Sequence, residues 1–317
     1  MKTTSIVAIA AVAVLLCAGI YVVAAGDDDG DKEIIAVSMP WQKEMLDEIA
    51  GEGAFEVYLL IPPGVSPHDP SQVSVETLTK LKAAKAWFMV GDELGIEAEM
   101  AIYDKVKDDI GAGKIHKATD GMTLIEGGHE HEEDEHDDEE EGAYDMHVWC
   151  SPENLLIAAS NARDALIALD PSNADAYDEG CESYSEKVRE IQALADTALK
   201  AIHGKMVMVW HEAWGYLLSK EHIVEFSLQD LVGHSVKELT VTNIMTLNGA
   251  ISEQGQTVMF AAPDSLIMNS GYRGQIGITI EEANAESLHH LQEMRNFLEL
   301  LDKHKGEFPA DPAHGHS

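Results

Sequence analysis

Three histidines stand in segments that would hold an imidazole in place. His68 lies in LLIPPGVSPHDP, where prolines and Gly64 stiffen a loop. His147 lies in YDMHVWCSPENL, immediately before a helix-like stretch, and His211 lies in VMVWHEAWGYLL, at the end of a β-rich run. Neutral imidazole is the commonest protein metal ligand. Three of them with one oxygen or water suit Zn²⁺ in a tetrahedron. Trp149, Trp210 and Trp214 neighbour these residues and read either as a desolvating rim or as core. Taken singly, each histidine is more often a surface residue than a ligand. A three-histidine zinc site holding water is also the arrangement of a hydrolase or hydratase, with Glu212 as its base. No compact CxxC or HExxH motif is present, so the fold has to bring the three together.

The elements that would do so alternate. Short β-rich runs fall at residues 34–40, 55–62, 86–90 and 115–119. Helical spacing fills 41–50, 73–84 and 94–106 between them. The pattern recurs after residue 204. Strands are predicted at 206–210, 223–227, 257–262 and 278–281, with helices at 213–219, 241–253 and 286–304. Continuous apolar strands alternating with helices predict parallel sheets covered on both faces. A helical region separates the halves. Residues 152–169 are amphipathic and end before Pro171; 173–202 carry Tyr177, Tyr184, Val188, Ile191, Leu194 and Leu199 at helical spacing. About thirty residues would make a rod of ~45 Å. The expected class is α/β, with two (β/α) lobes joined by one long rigid helix. The expected division is a leader and linker (1–32), an N-terminal lobe (33–171), a connecting helix (172–203), a C-terminal lobe (204–308) and a tail (309–317). His68 and His211 both follow strands, and open α/β sheets bind ligands beyond the carboxyl ends of their strands.

The net charge of −36 excludes a nucleic-acid partner, because phosphate binding needs a basic face. It fits a solvated acidic surface, and equally a field that concentrates cations. Residues 6–25 are continuously apolar or small, follow Lys2 and precede Asp27–Asp28–Asp29. That run reaches about the ~30 Å of a bilayer core, and its charge flanks place the remainder outside the cytoplasm. A cleaved signal, an uncleaved anchor and a lipidated Cys17 stay open. Cys150 and Cys181 read as small buried hydrophobes or as a pair in an oxidising compartment. Residues 127–142, GGHEHEEDEHDDEEEG, place His129, His131 and His136 among ten carboxylates and carry no apolar residue to bury. They read as an accessory metal-capturing loop or as a solubilising insert. His314 and His316 near the terminus read as similar or incidental.

The stretches IPPGVSPHDP, KAAKAWFMVGDELGIE, HVWCSPENLLIAASNARDALIALDP and VWHEAWGYL carry a resemblance covering residues 34–301. They resemble the zinc- and manganese-binding solute-binding proteins of metal ABC transporters, cluster A-I. The resemblance implies that His68, His147 and His211 are metal ligands, and that the metal lies in the cleft between the lobes. It implies a non-catalytic carrier that docks on a permease driven by a cytoplasmic ATPase; the chain is further expected to be monomeric and, from its apolar run, membrane-associated at its N-terminus. The family usually supplies a carboxylate as fourth ligand after the last short strand. Here ITIEEANAES puts Asn284 there, with Glu281, Glu282 and Glu286 as neighbours that could substitute. Manganese members generally carry a carboxylate at the third position, where this chain has His211. That and the softness of three imidazoles favour Zn²⁺ over the more oxygen-seeking Mn²⁺. A manganese or iron carrier, and a surface adhesin using the metal structurally, are the alternatives within reach of the same residues.

Overall fold

The computed structural model of the chain describes residues 32–127, 144–233 and 236–311. The apolar run at 6–25, Cys17, the loop histidines His129, His131 and His136, and His314 and His316 lie outside the described residues. Among the described residues no helix is long and apolar enough to cross a membrane. The described residues from Glu33 onward form one compact unit.

The first half runs β1 (Glu33–Val37), α1 (Pro40–Ala50), β2 (Phe55–Leu59), α2 (Val75–Ala83), β3 (Ala86–Met89), α3 (Glu97–Val106) and β4 (Ile115–Lys117). Its four strands pair in parallel in the order β2-β1-β3-β4. Two helices follow, α4 (Pro152–Leu169) and α5 (Ala174–Ala198). The second half runs β5 (Met206–Val209), α6 (Gly215–Leu218), β6 (Val224–Ser227), α7 (Val241–Gln254), β7 (Val258–Ala261), α8 (Ser270–Arg273), β8 (Thr279–Glu282) and α9 (His290–His304). Its strands are again parallel, in the order β6-β5-β7-β8. The two sheets are therefore wound alike: the first strand is central, the second lies to one side and the third and fourth to the other. In both, chain reversal beside the first strand leaves a crevice at the carboxyl edge.

The connecting helix α5 spans 25 residues, not the thirty expected. The chain tightens into a 3-10 turn at Lys200–Ile202. At 1.5 Å per residue the regular part is ~38 Å long. Its buried side chains, including Tyr177, Cys181, Tyr184, Val188 and Ile191, repeat at three and four residues. It packs against α1 of the first half, α4, and α9 of the second. One continuous core results, running from Ile35 and Trp41 through Tyr184 to Val207, Phe260 and Phe297. Strand alternation divides the second sheet. Val207, Val209, Val258 and Phe260 face this core; Met208, Trp210, Met259 and Ala261 face a smaller cluster under α7. Cys150 and Cys181 are both buried free thiols.

Helix α5 comes close to α1 at Gly180. A Cβ there would lie 2.7 Å from the carbonyl oxygens of Glu48 and Ile49 and 2.8 Å from Ile49 Cα, all backbone atoms of α1. Lys187 and Ser183 pair with the Glu48 carboxylate alongside. Substituting Gly180→Ala should separate α1 from α5 and lower stability by about 1–3 kcal/mol, the usual overpacking cost. Denaturant unfolding measures this. A variant as stable as the parent, or more stable as helix propensity alone would make it, would show that the crossing does not constrain the fold.

Candidate metal centre

Each of the three histidines is held by its own local device. His68 sits in the loop after β2. Val65 N–H donates to Pro62 O, Asp69 N–H to Ser66 O, and Ala98 N–H to Pro67 O, which ties the loop to α3. Gly64 takes φ +80° in this turn, a conformation that favours glycine. The Nδ1 atom of His68 lies 3.2 Å from the Glu97 carboxylate.

His147 precedes the 3-10 turn Val148–Cys150 that leads into α4. Its backbone N–H and its Nδ1 both meet Asp145 Oδ1, at 2.9 and 2.8 Å. Nδ1 is therefore the protonated nitrogen, and the lone pair is on Nε2. That Nε2 is buried and has no hydrogen-bond partner. Gly215 lets Asp145 come this close, since a Cβ there would stand 3.0 Å from its Oδ2. The turn is fixed from behind. Ser151 caps α4 by accepting from Asn154 N–H, Trp149 Nε1 donates to Ala285 O, and His290 Nε2 bonds Trp149 O at 2.7 Å.

His211 lies two residues beyond β5. The turn after it is clamped by Glu225 on β6, whose carboxylate accepts the N–H groups of Ala213 and Trp214 at 3.1 Å. Burial pushes the Glu225 carboxyl up to about 8, against the lowering effect of those two bonds. Trp214 stacks on Phe297 of α9 at 4.1 Å. The helix predicted at 213–219 spans only Gly215–Leu218, and the two N–H groups just before it are taken up by Glu225.

The three imidazoles converge. Ring centroids lie 5.3 Å apart for His147–His211, 5.6 Å for His68–His211 and 6.4 Å for His68–His147. One nitrogen from each lies within 4.8 Å of the others, and this is the only such group of three potential ligands among the described residues. His147 is buried, His211 half-buried and His68 exposed, so the cluster opens at the His68 side. Burial alone would lower the His147 pKa, but the hydrogen bond and charge of Asp145, with Glu286 and Glu225 behind, raise it overall.

The fourth position is less direct. Asn284 lines a cleft of about 310 Å³ with Pro63, Gly64, Pro263, Asp264 and Glu286. Its side-chain oxygen accepts the Glu286 N–H at 3.0 Å, which uses one of its two lone pairs. The turn this bond closes delays the last helix, predicted from residue 286, until His290. Glu286 is near the cluster without joining the close group of three nitrogens; burial raises its pKa while the nearby His147 and His68 lower it. Glu281 is engaged elsewhere, by Lys303 and His304, and Glu282 is exposed. Asp145, Glu97 and Glu225 were not expected as supports. Only Asp145, two residues before His147, left a local signal.

A family model described as zinc-uptake complex component A, periplasmic, matches residues 35–266. The chain belongs to this ZnuA family. Among curated relatives, the zinc-binding lipoprotein AdcA of Streptococcus pneumoniae R6 is 30% identical over 210 residues, covering 64% of this chain and 40% of that protein. The high-affinity zinc uptake system protein ZnuA of Yersinia pestis is 28% identical over 182 residues, covering 52% and 56%. The chain thus spans about half the length, or less, of these relatives. Zn(II)-bound AdcA from Streptococcus pneumoniae superimposes with a TM-score of 0.70 at 21% identity, over 89% of this chain and 59% of that one. A ZnuA crystal structure gives 0.67 at 21%, over 87% and 99%. At that identity the likeness establishes the ZnuA fold.

His290 links the centre to pH. It is fully buried, and burial pulls its pKa down to about 4 despite the bonds to the backbone of Trp149 and Ala285. An unfolded histidine titrates near ~6.5. The folded state therefore binds fewer protons between those values. This contribution to stability is complete above about pH 6.5 and is lost as pH falls through 6.5 toward 4, on the order of 3 kcal/mol. Denaturant titrations of the parent and His290→Gln across this range should differ in slope by one proton. Equal slopes would mean that His290 is protonated in the fold.

Proposed function

We propose that this chain captures Zn²⁺ outside the cytoplasmic membrane and passes it to a membrane permease coupled to an ATPase. The observation that carries the reading is the convergence of three imidazoles, one with a buried, unpartnered Nε2 oriented by a carboxylate. A carboxylate on the far nitrogen is the usual outer partner of a metal-bound histidine, and both His147 and His68 have one. His68, His147 and His211 are the proposed ligands. Glu286 is the proposed fourth, with Asn284 holding its backbone in place of ligating. Three nitrogens and one oxygen suit Zn²⁺ better than Mn²⁺. The zinc-binding and zinc-uptake names of the relatives support the same cargo. His129, His131 and His136 with their carboxylates offer weaker, accessory capture. Because one core and the long helix α5 join both halves, loading is expected to move loops more than lobes.

Competition against a chromophoric chelator tests this. The full chain should hold one tight zinc equivalent. His211→Ala should weaken it by at least about 100-fold, beyond the 10–100-fold typical of outer partners. Glu286→Gln should weaken it more than Asn284→Ala does. Tight binding unchanged in His211→Ala would overturn the reading; a larger loss in Asn284→Ala would return the fourth position to the amide.

A further inference from the structure

The second lobe carries another group of metal-ligating side chains, at the opposite edge of its sheet. His203 follows the 3-10 turn Lys200–Ile202 and leads into β5. Glu221 and His222 end the 3-10 turn Ser219–Glu221 and lead into β6. Strands β5 and β6 pair in parallel from Met206↔Val224, so these two approaches to the sheet are neighbours. Gly204 N–H donates to Glu221 O and Val224 N–H to Lys205 O, which fixes them side by side. His211 leaves the far end of β5, a strand length of roughly 13 Å away.

The side chains meet in a recognisable way. The His203 and His222 rings lie 5.6 Å apart at 89°. In the cleft the His68–His211 pair lies 5.6 Å apart at 80° and His147–His211 5.3 Å at 72°. A carboxylate oxygen of Glu221 stands 3.0 Å from His203 Nδ1. As it stands this is a hydrogen bond; two ligands on one tetrahedral ion with bonds near ~2.0–2.1 Å lie about 3.4 Å apart, so the pair must lose the shared proton and open slightly for both to ligate. His222 has φ +52° and ψ +37°, and is the only non-glycine residue with positive φ among the described residues. That conformation favours glycine, yet a histidine occupies it beside His203.

We infer that His203, Glu221 and His222 form a second, surface site for a borderline divalent cation, Zn²⁺ above all. Two imidazoles and one carboxylate would hold the ion, with water completing the shell. Unlike the cleft group, these ligand atoms are not all within 4.8 Å of one another, so a side-chain rotation completes the set. Both histidines are exposed, which leaves room for that rotation and makes the site weaker than the cleft. It shares no residue with the cleft and does not depend on transport.

Histidine carbethoxylation of the full chain, read residue by residue by mass spectrometry, tests this. Without zinc His203 and His222 should be labelled; with excess Zn²⁺ both should be protected, at higher zinc than the cleft histidines need. His222→Gly suits the backbone conformation, so that variant should fold. In it His203 should be labelled even in excess zinc, bound zinc should fall by one weak equivalent, and protection of His68, His147 and His211 should be unchanged. Labelling of His203 at one rate with and without zinc would overturn the site. So would protection of His203 that persists in His222→Gly, or equal protection by Mg²⁺, which avoids imidazole. Loss of cleft protection with His203 still protected would count against the cleft alone.

Discussion

The buried Nε2 of His147 has no hydrogen-bond partner, and a group in that position costs about 1–3 kcal/mol. Much of the surrounding structure bears on keeping it there. Asp145 fixes the tautomer through Nδ1, and the carbonyl of Trp149 and the indole beside it anchor the turn to His290 and Ala285. Cap residues Ser151 and Asn154 set the start of α4. Helix α5, crossing α1 at Gly180, holds the two sheet edges in one body.

Carboxylates support the centre in both halves. In the first, buried Glu99 on α3 accepts the N–H groups of Val90 and Gly91 where β3 ends. In the second, Glu225 does the same for the turn after His211. Burial raises the pKa of both. The formal charge of −36 therefore overcounts acids such as Glu99 and Glu225, which terminate strands and are pushed toward the neutral form, while Asp145 and Glu97 stand beside imidazoles. A negative environment around neutral nitrogens favours a cation and disfavours an anion.

Much of this was legible in the sequence. The apolar runs at 55–62 and 206–210 marked strands because parallel strands are buried on both faces. Pro171 and the periodicity of Tyr177, Tyr184 and Val188 marked two helices and their break. The histidines were legible by their place at strand ends and by family resemblance, since spacings this long carry no local motif. What could not be read was the contact across the sheet. Glu225 reaches Ala213 and Trp214 through the pairing of β5 and β6, and Glu286 is held in a turn that Asn284 closes. Both depend on register and on side-chain direction, which no pattern within a single segment reports. The pairing of His203 with His222 has the same origin.

X-ray absorption at the zinc edge, on full chain loaded with one equivalent of Zn²⁺, addresses the central claim most directly. Three imidazole nitrogens and one oxygen at ~2.0–2.1 Å are predicted, with the imidazole count falling to two in His211→Ala. An all-oxygen or thiolate shell, or a three-imidazole shell that survives in His211→Ala, would contradict it.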